Sequence, residues 1–193
     1  MHAAFDQPSA WVVRFASLIP EGEVLDLACG SGRHARFLAA RGYRVLAVDR
    51  DSAALERAAA DGVRTLPVDL EDDSNGSASW PFEADRFNGI VVTNYLHRPL
   101  LPRILYSLAP GGILIYETFT CGNERYGKPS NPDFLLTHGE LLRLTEIQCV
   151  PSLRIIAFED GYVDFPKPAM VQRICVLKGR GEGDENPSSL HLN

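Results

Sequence analysis

Several features that would assign this chain to a membrane, a secretory route or a metal site are missing from the sequence. No apolar run approaches the ~20 residues that a membrane-spanning helix needs. The N-terminal residues carry neither the basic nor the apolar stretch of a secretory signal. The four cysteines form no C-x-x-C pair, and the five histidines are scattered. We therefore expect reduced thiols in the cytoplasm, with no disulfide framework and no metal site.

Basic clusters and internal repeats are missing as well. The chain has 19 Lys and Arg against 25 Asp and Glu, a net charge of −6, which argues against a nucleic-acid partner. Its 193 residues, 45% of them hydrophobic, suffice for one domain with a full core. The sequence predicts a single domain over residues 1–178, with a helical N-terminal segment over 1–22 and a disordered tail over 179–193. It leaves the oligomeric state open.

The sequence does contain a strand, a glycine-rich turn and a helix in immediate succession. Val24–Leu27 is an apolar run, and Gly30 and Gly32 interrupt it. A helical pattern then continues to Gly42, a residue suited to the end of a helix. Glycines let the backbone approach a ligand closely, and the start of a helix offers free N–H groups. This is the opening of a βαβ unit that holds a nucleotide-like ligand.

Two classes of cofactor use such a turn. Residues 30–35 fit the dinucleotide pattern G-x-G-x-x-G/A, and Asp49 closes the next strand where a ribose-binding acid is expected. Asp26 favours the other class, because a carboxylate at that point would face a pyrophosphate with the wrong sign of charge. It suits a cationic group, such as the amino group of a methionine moiety. An NAD(P)-linked oxidoreductase remains an alternative interpretation.

The stretch Asp26–Gly32, Asp-Leu-Ala-Cys-Gly-Ser-Gly, resembles motif I of class I S-adenosylmethionine-dependent methyltransferases. Ala28 stands where many members have the first glycine. The Gly-Arg step after the motif and the compact build resemble the tellurite-resistance-like group of small bacterial methyltransferases. The resemblance covers roughly residues 24–177. It implies an α/β fold with a Rossmann-like, seven-stranded, mostly parallel sheet, an antiparallel last hairpin and helices on both faces.

The resemblance also implies S-adenosylmethionine as the cofactor and methyl transfer as the reaction. Polar residues close five predicted strands, and in an open parallel sheet ligands bind beyond those ends. The family places the ribose on Asp49 and the adenine on Asp69 and Leu70. The predicted cofactor-binding residues are Asp26, Ala28, Gly30, Gly32, Arg33, Asp49, Arg50, Asp69, Leu70 and Asn94. A module that binds the cofactor without turnover is a further alternative.

The segments after the fourth and fifth strands, residues 95–98 and 118–131, are predicted to form the acceptor side. Methyl transfer from a sulfonium depends mainly on positioning, and it needs a base only when the acceptor carries a proton. The candidate catalytic residues are His97, Tyr95 and Tyr126, with Glu117 also weighed as a base. His97 is the best placed of these as a base, just past the fourth predicted strand, but a structural role as a loop cap is the favoured interpretation.

The substrate class is predicted from what residues 94–97 lack. Methyltransferases that act on planar nitrogens typically show Asn-Pro-Pro-Tyr there, whereas this chain reads Asn-Tyr-Leu-His. We therefore expect a small-molecule acceptor and neither a nucleic acid nor a membrane as partner. Three basic residues near the predicted acceptor side are candidates for holding an anionic acceptor: Arg98, Arg125 and Lys128.

Elsewhere, the periodicity of the sequence predicts the remaining elements. Helices are expected over residues 11–19, 52–60 and 100–108, and a Thr137–Glu140 capping box predicts a helix to about residue 147. Strands are expected over residues 44–48, 63–68, 87–93, 113–116, 153–158 and 170–177. The polar residues 71–79 are predicted to be a mobile linker.

Overall fold

The chain folds around one seven-stranded sheet, and the structure, a computed structural model, describes residues 6–72, 80–146 and 153–180. The strands are β1 (Glu23–Leu27), β2 (Arg44–Asp49), β3 (Val63–Pro67), β4 (Phe87–Thr93), β5 (Leu108–Phe119), β6 (Leu153–Val163) and β7 (Ala169–Lys178). Their order is β3-β2-β1-β4-β5-β7-β6. The first five strands run parallel, and β7 is antiparallel to both β5 and β6. The predicted fold is confirmed.

Helices cover both faces of this sheet. They are α1 (Ala10–Phe15), α2 (Arg33–Ala39), α3 (Ser52–Ala58) and α4 (Leu101–Ser107). One apolar cluster joins α1, α2 and α3 to the sheet, and a second joins α4 and the 3-10 helix Glu140–Glu146 to the opposite face. Side-chain caps start two of the helices, because Ser9 accepts from the N–H of Trp11 and Asp51 accepts from the N–H groups of Ala53 and Ala54.

The strand β4 shows why the apolar runs in the sequence predict buried strands. It lies between β1 and β5, and five of its seven residues, Gly89–Thr93, are buried together in succession. A strand covered on both faces has no polar side, so its sequence is apolar almost throughout. Such strands bring their carboxyl ends to one edge of the sheet, where β1, β2, β4 and β5 place the predicted site.

Three elements differ from the prediction. β5 begins before the Pro-Gly-Gly turn, because residues 109–112 are accommodated as a bulge between the pairs Phe87–Leu108 and Gly89–Ile113. β6 continues through residues that were predicted to be a connection, up to Val163. Glu140 does accept from the backbone N–H of Thr137 at 2.7 Å, but the helix that follows is a 3-10 helix.

Most of the predicted linker, residues 73–79, and most of the predicted tail, residues 181–193, lie outside the described residues. Within the part of the chain that the structure describes, no helix is long and apolar enough to cross a membrane.

Candidate active site

The turn between β1 and α2 is held by the carboxylate of Asp49. The N–H of Gly30 donates to Oδ2 of Asp49 at 2.8 Å, and the N–H of Asp51 donates to Oδ1 at 2.9 Å. The N–H of Cys29 donates to the carbonyl of Val48 at 2.9 Å, which fixes the turn to β2. Asp49 therefore sets the position of the glycine-rich backbone and also faces the adjoining cavity.

Three residues of this turn adopt left-handed backbone conformations. The φ angles are 52° at Ala28, 54° at Gly30 and 75° at Gly32. An L-residue pays roughly 1–2 kcal/mol for this conformation, so Ala28 stores strain that a glycine would avoid. A Cβ atom at Gly32 would lie 2.3 Å from Cβ of Ala58, because the start of α2 packs directly on α3. The turn therefore requires glycine at position 32 for space and at position 30 for conformation.

A cavity of about 200 Å³ opens beside this turn. The N–H of Glu71 donates to Asp69 at 3.0 Å, and Arg50 lies 4.0 Å from the same carboxylate. The cavity brings together five of the predicted cofactor-binding residues: Ala28, Asp49, Arg50, Asp69 and Leu70. Its other lining residues are Val48, Val68, Glu71 and Tyr95. We call it the cofactor-side cavity.

A larger cavity of about 480 Å³ lies on the other side of the β4 end, and we call it the large cavity. Its walls come from residues 7–14, from the ends of β4, β5 and β7, and from the connection between β6 and β7. Arg33 and Asn94, predicted to bind the cofactor, line this cavity instead of the cofactor-side cavity. The apolar lining is Pro8, Ala10, Val13, Phe119, Val163, Phe165, Pro166, Ala169 and Val171, and the polar lining is Gln7, Ser9, Arg14, Arg33, Asn94, Glu117, Lys167 and Arg173.

A third depression of about 200 Å³ adjoins both cavities, and we call it the connecting depression. It shares Glu71 and Tyr95 with the cofactor-side cavity, and Asn94 and Phe119 with the large cavity. Asn94 has a φ angle of 56°, and its N–H donates to the carbonyl of Glu117 at 2.9 Å. The chain therefore turns at Asn94, directly after β4, where it lies between the two cavities. The three cavities therefore adjoin one another along the carboxyl edge of the sheet.

Within the large cavity, Glu117 is already engaged. Its Oε2 forms an ion pair with Nε of Arg173 at 2.6 Å, at an angle outside hydrogen-bond geometry, and accepts from Oγ of Ser9 at 3.1 Å. Arg173 also pairs with Glu159 at 3.3 Å. A carboxylate bound in this way is poorly placed to take a proton from a substrate.

Asp26 and His34 lie buried beside the turn. Burial is the largest influence on Asp26, and it raises the pKa of the carboxyl to about 7, while the N–H of Ala35 and the charge of Arg33 lower it. Neither carboxylate oxygen has a partner in hydrogen-bond geometry among the described residues. Asp26 lines neither the cofactor-side nor the large cavity. Its position favours an effect through the turn above it over direct contact with a ligand.

His34 ties the N-terminal segment to the turn. Its Nε2 accepts from the N–H of Ser9 at 3.1 Å, and its Nδ1 lies 3.3 Å from Oγ1 of Thr93. Burial, followed by the charge of Arg33, lowers the pKa of the imidazole to about 3. A neutral, buried histidine with two polar neighbours is a structural link between the N-terminal segment and the turn.

The shifts of Asp26 and His34 have opposite effects on stability as the pH changes. The pKa of folded His34, about 3, lies below the ordinary value of 6.5, so acid favours the unfolded chain through this group. The pKa of folded Asp26, about 7, lies above the ordinary value of 3.8, so acid favours the folded chain through this group. As the pH falls from about 7 to 5, we expect the free energy of unfolding of Asp26→Asn to decrease relative to that of the wild type. We expect that of His34→Gln to increase relative to the wild type over the same range. Each change is up to about 1.4 kcal/mol per pH unit. Urea unfolding at several pH values measures both slopes, and slopes equal to that of the wild type would contradict the assignment.

The three predicted catalytic side chains are not brought together. Tyr95 lines the cofactor-side cavity and the connecting depression, where burial, with Glu71 next in effect, raises its pKa above the usual range. His97 lines neither of the two main cavities, and its buried Nε2 has no hydrogen-bond partner among the described residues. Tyr126 packs on Tyr162, with ring centroids 5.2 Å apart, and lines a separate depression.

The basic residues singled out in the sequence also lie elsewhere. Arg98 pairs with Glu140 at 2.7 Å and donates to the carbonyls of Asp133 and Leu135, so it holds a loop together. Arg125 lines the same separate depression as Tyr126. Across the described ranges, no cluster of His, Cys, Asp and Glu side chains suited to a metal ion is present.

Comparison with known proteins shows similarity to methyltransferases over part of the chain. The methyltransferase domain family matches residues 24–112. A protein-L-isoaspartate O-methyltransferase of Chlorobaculum tepidum is 37% identical over 109 residues, which are 55% of this chain and 49% of that protein. The corresponding protein of Chlorobium luteolum is 39% identical over 79 residues, 40% of this chain and 35% of that protein. The chain therefore spans about half or less of these curated relatives.

Solved structures share the fold over most of the chain. A methyltransferase structure from Methanosarcina mazei has a TM-score of 0.67 at 17% identity, covering 91% of this chain and 100% of that one. TehB from Haemophilus influenzae has a TM-score of 0.67 at 18% identity, covering 89% and 62%. The 1,6-didemethyltoxoflavin-N1-methyltransferase of Burkholderia thailandensis has a TM-score of 0.63 at 20% identity, covering 92% and 80%.

Residues 24–112 thus match the methyltransferase domain family, and the described fold is shared with solved structures of S-adenosylmethionine-dependent methyltransferases. The match agrees with the resemblance predicted from motif I, and the predicted fold is confirmed.

Proposed function

We propose that this protein transfers the methyl group of S-adenosylmethionine to a small-molecule acceptor in the large cavity. The observation that carries the proposal is the set of lining residues that the connecting depression shares with the cofactor-side cavity, Glu71 and Tyr95, and with the large cavity, Asn94 and Phe119. A cofactor bound at one end and an acceptor at the other would meet beside Asn94 and Tyr95. Methyl transfer requires such a meeting of two ligands in line.

The cofactor-side cavity suits the nucleoside part of the cofactor. Asp49 holds the turn with one lone pair on each oxygen, which leaves further acceptor positions for the two ribose hydroxyls. Asp69 and the buried Leu70 supply the polar group and the apolar wall that an adenine ring needs. The methionine end would then extend past the glycine-rich turn towards Asn94 and Arg33.

The large cavity suits a small acceptor, because nine of its lining residues give it apolar surface beside a few polar groups. Its volume, about 480 Å³, lies in the range typical of small-molecule sites. The residues that close it come from α1 and from the connection between β6 and β7, which have no counterpart in a simple nucleotide-binding unit. Acceptor choice would therefore depend on these two segments.

A second candidate acceptor is the carboxyl group of an isoaspartyl residue in a peptide. The observation in its favour is the identity of 37% over 109 residues to a protein named as a protein-L-isoaspartate O-methyltransferase. That match covers 49% of the relative, so its substrate is a separate hypothesis for this chain.

Calorimetry followed by a methyl-transfer assay tests the proposal. We expect S-adenosylhomocysteine to bind with one site per chain, and NADH not to compete with it. A panel of small molecules and an isoaspartyl peptide is then incubated with S-adenosylmethionine carrying a labelled methyl group. Labelling of a small molecule supports the proposal, and labelling of the peptide alone supports the second candidate. Absence of S-adenosylhomocysteine binding would refute both, and binding without any transfer would favour a non-catalytic module.

A further inference from the structure

The charge of the large cavity is opposite to that of the chain. The whole sequence carries a net charge of −6. Among the residues that line the large cavity, however, four are basic, Arg14, Arg33, Lys167 and Arg173, and one, Glu117, is acidic. Glu117 is paired with Arg173, and Glu159, outside the lining, pairs with Arg14 and Arg173. The basic side chains still outnumber these two carboxylates, so the described lining retains an excess of positive charge. An acidic protein with a basic cavity favours a negatively charged ligand there.

Lys167 is the cation best placed to meet such a ligand. Its Nζ lies 5.6 Å from the ring centroid of Phe119, which itself lines the cavity. Within the described ranges, no carboxylate forms an ion pair with Lys167. Arg14 lies on the same cavity and is paired at 3.3 Å with Glu159, at a site where both side chains are about half exposed. An exposed pair of this kind is weak, so Arg14 can exchange its partner for a ligand.

The lining also has few groups that would accept a proton. Among the described residues the lining contains no His, Cys, Tyr or Asp, and Glu117 is engaged by Arg173 and Ser9. An alcohol or an ammonium acceptor must lose a proton when it is methylated, so a base is needed. A carboxylate is deprotonated at neutral pH and already carries the attacking lone pair. The basic lining and the shortage of bases therefore indicate the same kind of acceptor.

We propose that the acceptor is an organic carboxylate with an apolar body and that its own carboxylate oxygen receives the methyl group. The inference rests on the proposed function above. A carboxylate oxygen attacks the methyl carbon, the carbon–sulfur bond breaks, and its electron pair stays on sulfur. The products are a neutral methyl ester and S-adenosylhomocysteine, and no proton is released in the step. Lys167 and Arg14 orient the carboxylate, and Val13, Phe119 and Val171 pack on its body.

The chain offers a matched control for the role of Lys167. Lys128 is also an exposed lysine followed by proline, but it lines none of the three connected cavities. We expect Lys167→Met to raise the KM for a carboxylate acceptor about tenfold, as for loss of one charged hydrogen bond, and Arg14→Met to act in the same direction. Lys128→Met should leave KM within about twofold of the wild type. The affinity for S-adenosylhomocysteine should stay the same in all three variants.

The experiment compares octanoate and phenylacetate with octan-1-ol, octylamine, 2-phenylethanol and 2-phenylethylamine, each with S-adenosylmethionine labelled in the methyl group. We expect label in the acids only, and we expect mild alkali to release it as volatile methanol, which is diagnostic of a methyl ester. Label in an alcohol or amine but not in the acids, or an alkali-stable product, would overturn the inference and leave the proposed function intact. Failure to bind S-adenosylhomocysteine would instead refute the proposed function.

Discussion

Replacement of Asp49 by alanine is expected to weaken the binding of S-adenosylhomocysteine by about a hundredfold or more. The carboxylate can accept from both ribose hydroxyls, and a hydrogen bond to a charged group contributes roughly 1.5–3 kcal/mol. At about 1.4 kcal/mol per tenfold change, the loss of two such bonds accounts for at least this factor. Calorimetric titration of the folded variant measures it.

A second contribution comes from the turn, since Asp49 also accepts from the N–H groups of Gly30 and Asp51. Asp49→Asn separates the two effects, because its single amide oxygen can still accept from Gly30 while one ribose contact is lost. We expect this variant to bind with intermediate affinity. Asp61→Ala, at an exposed position before β3 and therefore at the opposite end of that strand, is the control and should bind as the wild type. A change of less than threefold in Asp49→Ala would mean that the ribose binds elsewhere.

The residues of the cofactor-side cavity could be predicted from the sequence because they lie at the ends of strands. Asp49 and Asp69 follow apolar runs, and parallel strands bring such ends to one edge. The turn was readable from its glycines, and Ala28, which stands in place of one, still adopts a positive φ angle. Hydrophobic periodicity and turn-forming residues act over a few neighbouring positions. The strand ends and the turn can therefore be predicted without knowledge of long-range contacts.

The lining of the large cavity, where we propose that the acceptor binds, could not be predicted in the same way. It combines residues near the two ends of the sequence, since Nε1 of Trp11 in α1 donates to the carbonyl of Ile174 in β7 at 3.3 Å. No local sequence pattern predicts that residues 7–14 and Lys167 line the same cavity. Conversely, Tyr126 and Arg98 were predicted to lie at the site because they follow strand ends. In the structure, however, Tyr126 packs on Tyr162 and Arg98 pairs with Glu140. Long-range pairing decided which side chains reach the cavity.

The turn itself permits a prediction about stability, in which two glycines that look equivalent in the sequence behave differently. A Cβ atom at Gly32 would lie 2.3 Å from Cβ and 2.7 Å from Cα of the buried Ala58, whereas a Cβ atom at Gly30 would meet nothing within 4 Å. Both positions have a positive φ angle, which costs an L-residue roughly 1–2 kcal/mol. Overpacking adds about 1–3 kcal/mol at Gly32 alone. We therefore expect Gly32→Ala to lose about 2–5 kcal/mol of unfolding free energy and Gly30→Ala only about 1–2 kcal/mol.

Urea unfolding of both variants measures this difference, and Ala58→Gly provides a test of its cause. Ala58→Gly alone should destabilise the protein, because α3 loses a good helix former and a buried methyl group. Combined with Gly32→Ala, however, it removes the closer of the two clashing atoms. The double variant should therefore be more stable than the sum of the single effects predicts. Strict additivity, or equal losses at the two glycines, would show that contact between α2 and α3 does not determine the residue at position 32. Gly30→Ala should in turn affect cofactor affinity more than stability, because its added methyl group enters the open space beside the turn.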